Sequence, residues 1–295
     1  MTELIQQLAD GLGRGSEYAL IALGIAVIFG VMHLVNFAHG ELITVSAYVA
    51  YFLLLNEVSW WLVAPIVIVA SIATSLTIEF TAFRWVRGAS DFTQMLTSFG
   101  VHFAVQALFI MYVSATFRSF DRPSWVANTV EVGGVRFEVI DLGIITATAL
   151  ALAATWFLLN RTLFGLSMRA AAEDFDAARL MGIRSDRVIR GAFALAGALA
   201  GIAAIFVLMR TGRADPTVGL SPLLKGVLAA LIGGLGSLSG AVIGGLLLGL
   251  VEVLLIANLS DEFVGLTNGI VFLLIALLFV FRPGGLFAVA RAERV

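Results

Sequence analysis

The sequence predicts an all-α membrane protein: eight or nine transmembrane helices forming a single transmembrane domain over residues 1–295. Two observations carry this. Of 295 residues, 60% are hydrophobic and 13% charged, with a mean hydropathy of +1.01, more apolar surface than a water-soluble fold can use. The apolar residues also lie in continuous runs near the roughly 20 residues that an α-helix needs to cross a bilayer. A transmembrane β-barrel would show alternating segments of about ten residues instead. Composition excludes other chemistry. There is no cysteine, hence no disulfide framework or thiol chemistry, and His33, His39 and His102 lack metal-ligand spacing. The net charge of −2 says little about partners.

Residues 1–13 carry Glu3 and Asp10 and neither Lys nor Arg, unlike the start of a secretory signal. Leu4, Ile5, Leu8, Ala9 and Leu12 share one helical face, which fits a short helix in the bilayer interface or one packed on other spans. Apolar runs follow at 17–35, 38–56, 61–80, 95–114, 140–160, 191–209, 221–233, 239–257 and 263–281. The run at 221–233 is short and reads as a half-helix. Arginines set the sidedness. Arg84 and Arg87 sit in 81–94, six of the 17 arginines sit in 161–190, and Arg282, Arg291 and Arg294 follow the last run. Placing all of these in the cytoplasm gives nine crossings and an external N-terminus. Residues 115–139 then lie outside, where Arg118, Arg122 and Arg136 accompany Asp121, Glu131 and Glu138; Val132 to Phe137 reads as a hairpin turning at Gly133-Gly134. If 221–233 is re-entrant, the crossings number eight and the parity of the ends changes.

Two stretches break the apolar pattern alike. Residues 24–52 are interrupted at Asn36–Glu41 and residues 226–254 at Gly233–Gly240, so that Gly40 and Gly240 correspond. Paired interruptions suggest an internal repeat of broken helices with a pathway at its interface, although two ordinary hairpins with Gly-rich turns would look similar. The residues concerned are Asn36, His39, Glu41, Gly233, Gly234, Gly236 and Gly240, candidates for the pathway or for satisfying freed backbone groups. Thr97, Ser98, His102 and Gln106 put polar groups on one span, where they would bond neighbouring helices or wet a channel. Lys225, the one lysine, and Glu252 fall at similar depths, so an ion pair between them is geometrically feasible as a structural pair or a gate.

No phosphate-binding Gly-x-x-x-x-Gly-Lys-Ser/Thr loop occurs, nor His-Glu-x-x-His or Gly-x-Ser-x-Gly, so the chain is not expected to be an enzyme or to need a cofactor. The long polar stretch 161–190 predicts one capped helix over about 168–181. Met168, Ala171, Phe175, Ala178 and Met181 form its apolar face, Arg169, Glu173, Asp176 and Arg179 lie mostly elsewhere, Ser167 caps the start and Gly182 stops it. Periodicity alone leaves open whether this helix meets a soluble partner or the bilayer surface.

Asp176-Ala177-Ala178, three residues and Gly182 resemble the Glu-Ala-Ala-x-x-x-Gly pattern of ABC importer permeases, with Asp at the acidic position. More specific are YALIALGIAVIFGVMHLVNFAHGE (18–41), RAAAEDFDAARLMGI (169–183), LAALIGGLGSLSGAVIGGLLLGLVE (228–252) and LLFVFRPGGLF (277–287). Together they resemble the LivH/LivM-type permeases of branched-chain amino acid ABC importers over most of the chain, and Asn-Phe-Ala-His-Gly at 36–40 is similar to the LivH type. The resemblance implies a bacterial inner-membrane subunit working with a second related permease, two cytoplasmic ATPases and a periplasmic substrate-binding protein. It also implies that 169–183 is the coupling helix, with Phe175, Ala178 and Met181 as apolar contacts, Asp176 and Arg179 as charge register and Gly182 as the turn. Branched-chain or other hydrophobic amino acids are the implied substrates; related permeases carry urea, short amides and other small solutes. A stand-alone secondary transporter or channel is the rival, and it would need ion-coupling carboxylates inside the membrane, for which Glu252 is the candidate.

Overall fold

A computed structural model describes residues 2–113, 115–282 and 285–286. In chain order the helices are α1 (Thr2–Met32), α2 (His39–Leu55), α3 (Trp60–Thr81), α4 (Asp91–Tyr112), α5 (Val139–Arg161), α6 (Leu163–Glu173), α7 (Phe175–Leu180), α8 (Ser185–Thr211), α9 (Leu220–Gly233), α10 (Leu238–Asn258), α11 (Asp261–Val264) and α12 (Thr267–Phe281). Each predicted apolar run coincides with one of α1–α5, α8–α10 or α12. Six of these, α1, α3, α4, α5, α8 and α10, are long and apolar enough to cross a membrane, while α2, α9 and the described apolar part of α12 are shorter.

The amphipathic start is not a separate helix. It is the first part of α1, whose 31 residues extend about 46 Å, well beyond the roughly 30 Å hydrocarbon core. Leu4, Ile5, Leu8 and Leu12 stay exposed, whereas Tyr18 to Leu23 are buried at the centre of the bundle. Gln6 ties this projecting end to a hairpin, donating from Nε2 to Arg136 O (2.7 Å) and accepting from Arg136 N (2.8 Å). The hairpin pairs β2 (Thr129–Val132) with β3 (Val135–Glu138), as its Gly-Gly turn predicts; beside it β1 (Arg118–Ser119) pairs with β4 (Arg213–Ala214). This is the hairpin end of the bundle. At the other, the loop end, α1 finishes among Arg87, Asp91 and residues 182–190.

Lipid tails are as apolar as leucine, so helices in a bilayer associate by close packing of small residues and by hydrogen bonds. Both devices are present. On α1 and α10, which run antiparallel, Gly11 faces Leu250, Gly15 faces Gly249 and Ala19 faces Gly245, near enough that a Cβ at 245 or 249 would overlap the opposing backbone. Between α3 and α8, Ser71 Oγ donates to Gly197 O and Ser75 Oγ to Phe193 O, both at 2.7 Å, while Gly197 and Gly201 admit the α3 backbone. Ser71→Ala with Ser75→Ala is expected to cost about 1–2 kcal/mol, since a single interhelical bond of this kind averages about 0.6. Denaturant unfolding of the purified variant checks this; parental stability would show that the two bonds contribute nothing.

The two breaks are built differently. After α1, His33 turns the chain with φ +57 and Asn36 Oδ1 accepts from Ala38 N at 3.0 Å, after which α2 leaves α1 and packs on α3 and α8. After α9, Gly234 and Gly236 turn the chain with φ of +87 and +90, and Ser237 Oγ caps α10 at Gly240 N (3.1 Å). Here α10 folds straight back, with Gly233 and Gly240 backbone to backbone. The half-helix α9 runs beside α1 in the same direction. Lys225 meets Tyr18, Gly226 meets Ile21 and Ile25, and Gly236 comes nearest to Phe29. The first arms of the two paired segments, α1 and α9, therefore run parallel, while their second arms pack differently.

The single helix expected over 168–181 is two. Thr162, not Ser167, caps α6 by accepting from Gly165 N (3.1 Å); Ser167 Oγ instead bonds Leu163 O inside α6. Asp174 interrupts the helix because its Oδ1 accepts from Ala177 N (2.9 Å) and caps α7. Side-chain capping of this kind competes with continued helix. Gly182, with φ +86, ends α7 as expected.

Candidate functional site

Seven charged or hydroxyl side chains from five helices converge in the hairpin-end half of the bundle. Lys225 Nζ on α9 lies 2.7 and 2.9 Å from the two carboxylate oxygens of Glu252 on α10. Tyr18 on α1 donates to Glu252 Oε2 at 2.9 Å and accepts from Lys225 at 2.9 Å, and Arg14 Nη1 lies 3.5 Å from Glu252 Oε1. One turn along α1, Glu17 Oε2 is 3.2 Å from Arg210 Nε of α8, whose Nη2 donates to Asp141 Oδ1 of α5 at 2.7 Å. Three cations thus balance three carboxylates, with Glu252 and Asp141 buried and Arg14 and Arg210 reaching toward the surface, the pairing under which buried charge is tolerated. The network ties α1, α5, α8, α9 and α10 at one level of the bundle.

A second polar seam lies where α2 begins. Glu41 Oε1 and His102 Nδ1 of α4 are 2.7 Å apart, both residues buried, and Ser98 Oγ accepts from Phe37 N at 3.2 Å. Asn36 serves the helix break, as its bond to Ala38 N shows. His39 is fully buried against Gly24, and neither ring nitrogen has a hydrogen-bond partner among the described residues. Thr97 does not join this seam: its hydroxyl bonds Thr93 O on its own helix. At the loop end, buried Glu79 of α3 pairs with Arg87 and lies 3.7 Å from Arg190 Nε, and Arg87 also reaches Asp186.

On the loop, Met168, Ala171 and Ala178 turn inward; Ala178 is 5% exposed and packs in the chain's own core. Leu180 and Met181, at 90% and 84% exposure, project from the end of α7. Arg169 reaches back to Leu159 O and the Asn160 side chain, and Arg179 turns to a cavity with Gly182. The side chains of Phe175 and Asp176 lie outside the described residues.

A sequence pattern decides what kind of protein carries these features. The family described as "Branched-chain amino acid transport system / permease component" matches residues 7–280. The chain belongs to that family. Three similar proteins are the high-affinity branched-chain amino acid transport system permease proteins LivH of Salmonella typhimurium LT2 (33% identical), LivH of Escherichia coli K12 (32%) and BraD of Pseudomonas aeruginosa PAO1 (29%). Each alignment covers 99% of this chain and 97–98% of the relative. It is a multi-pass membrane protein and a permease component of a transport system.

In this permease, Lys225 and Glu252 come together, and Glu41 meets a polar residue of the span that carries Ser98 and His102. Asn36, Gly233, Gly234, Gly236 and Gly240 all sit at breaks or close backbone approaches. Reading the sequence missed Arg14, Glu17, Tyr18, Asp141 and Arg210, as well as Glu79. Their signal was there, since an ionisable residue inside or at the edge of an apolar run is a functional candidate by default. Glu252 is accordingly not alone among membrane carboxylates: Glu41, Glu79 and Asp141 are also buried.

Proposed function

We propose that this permease is the membrane subunit of an ATP-binding-cassette importer of the bacterial inner membrane, carrying branched-chain or other hydrophobic amino acids. A second related permease, two cytoplasmic ATPases and a periplasmic substrate-binding protein would complete it. The loop end then faces the cytoplasm, consistent with Arg84, Arg87, six arginines in 161–190 and Arg282 at that end. The observation that carries the reading is the pair of apolar side chains, Leu180 and Met181, standing out from a short capped helix. Adjacent exposed apolar side chains on a polar loop are suited to burial against a partner. Phe175, Asp176, Ala177 and Gly182 belong to the same α7 segment, with Glu173 at its approach, while Ala178 anchors the helix to the permease.

In this scheme ATP-driven closure of the ATPases moves α7, and α6 and α8 pass the movement to the spans. The pathway would run beside the breaks at 33–38 and 234–237, with Lys225 and Glu252 closing its outer half. Leu180→Asp with Met181→Asp is expected to lower ATPase co-purification at least about tenfold, given that burying an unpaired charge costs several kcal/mol. Phe175→Asp and Gly182→Pro test the flanking positions. Wild-type ATPase retention by all three variants would remove the docking assignment, and a parent that retains no ATPase would favour a transporter working alone. Uptake of labelled leucine against urea by the reconstituted assembly then tests the substrate.

A further inference from the structure

The cavity at the loop end meets the docking segment only at Arg179 and Gly182. Leu180 and Met181 are not on its wall. It holds about 1040 Å³, the size of pockets that take small ligands, and five arginines line it: Arg87, Arg179, Arg184, Arg187 and Arg190. Arg87 and Arg190 are engaged with Glu79, and Arg87 also with Asp186. Among the described residues, the side chains of Arg179, Arg184 and Arg187 have no ion pair or hydrogen bond, and Asp91 and Asp186 are the only acids on the wall. Besides atoms of Arg87, two polar atoms there lack a hydrogen-bond partner among the described residues. One is Ser185 Oγ, in the first turn of the 27-residue helix α8, whose N-terminal dipole favours an anion. The other is Oε1 of Gln94, a residue only 7% exposed.

We propose that this cavity binds the phosphate group of an anionic ligand, with Arg179, Arg184 and Arg187 as its counter-charges. Guanidinium groups suit phosphate because their donors match its oxygens two at a time. The cavity sits at the ends of α1, α4 and α8, where lipid headgroups would lie, and Met32, backed by the buried Val31 and Ile189, gives it an apolar flank. An anionic phospholipid matches both parts, and Gln94 Oε1 is placed to accept from a headgroup hydroxyl. Free phosphate shares the chemistry but not the apolar flank. The loop then has two faces, with Leu180 and Met181 turned to a protein partner and the arginines holding an anion between loop and spans.

Native mass spectrometry of the detergent-purified full chain tests this, using phosphatidylglycerol and phosphatidylcholine of identical acyl chains. The parent is expected to retain one phosphatidylglycerol at least about tenfold more tightly than phosphatidylcholine, because each arginine near an anionic headgroup contributes roughly fivefold. Arg179→Gln with Arg184→Gln and Arg187→Gln should abolish that preference. Arg118→Gln with Arg122→Gln and Arg136→Gln, at the hairpin end, should keep it, which separates loss of the site from loss of charge. Displacement of the lipid by millimolar inorganic phosphate would assign the site to phosphate from either source; resistance to it would assign the lipid. Equal retention of both lipids by parent and loop variant overturns the proposal. So does a loop variant that keeps its lipid and loses its ATPase, which would make the cavity a dock for an acidic protein surface.

Discussion

Glu252→Leu is expected to lose about 3–5 kcal/mol of stability and with it most transport, because it strands Lys225 in the bundle with Tyr18 as its one hydrogen-bond partner among the described residues. Against the roughly 5–15 kcal/mol that holds a typical fold together, that is enough to deplete the folded protein. Lys225→Met should cost less. The carboxylate it leaves behind still accepts from Tyr18 at 2.9 Å and still has Arg14 at 3.5 Å. Combining Lys225→Met with Glu252→Leu removes both charges and should recover much of the stability lost in Glu252→Leu alone, since a well-packed apolar pair often matches a buried ion pair. Exchanging the charges should recover less, because Lys225→Glu with Glu252→Lys sets a second cation against Arg14. Thermal unfolding in one detergent orders the four variants. Uptake in proteoliposomes then separates structure from gating. If the neutral double variant is stable and transports, the pair is structural; if it is stable and leaks substrate or stalls, the pair gates the pathway. Equal losses in the two single variants would show that Tyr18 and Arg14 do not hold Glu252.

Gly249→Leu is expected to be the most damaging substitution on the helix surfaces. A Cβ there would overlap Gly15 N and Cα, and α1 has nowhere to go, since its other faces are packed by α5, α8 and α9. Overpacking a side chain into a well-packed core costs typically about 1–3 kcal/mol, and a clash with opposing backbone should exceed that range. The variant should fail to accumulate, or elute as aggregate in size-exclusion chromatography. Gly269→Leu is the comparison, because nothing lies within 4 Å of a Cβ at that position. If both behave like the parent, α1 and α10 are not held by backbone contact.

Small residues explain much of what was legible and what was not. The nine apolar helices were readable because an apolar run of sufficient length must satisfy its own backbone in lipid. The hairpin was readable because Gly133-Gly134 supplies the positive φ that its turn requires. The split of the 161–190 loop was not, although Asp174 was the signal: a short acidic side chain inside a helical pattern can cap the next turn as readily as continue the last. Ala178 and Met181 share a period, yet one faces the chain's own core and the other stands free. Periodicity gives a face without saying what the face meets.

Sequence by itself determined an all-helical membrane protein and the nine apolar runs, and the family's words were written in 18–41, 169–183, 228–252 and 277–287. Only tertiary structure decided that Arg14, Glu17 and Tyr18 meet Asp141, Arg210, Lys225 and Glu252, that α9 lies parallel to α1, and that three loop arginines turn to one cavity. The physical reason is that hydropathy sorts residues between lipid and water, one at a time, and each helix satisfies its backbone alone. Which helix sits against which is chosen by pairwise fit, here glycine against backbone and charge against charge, and the charge pairs lie up to 238 residues apart.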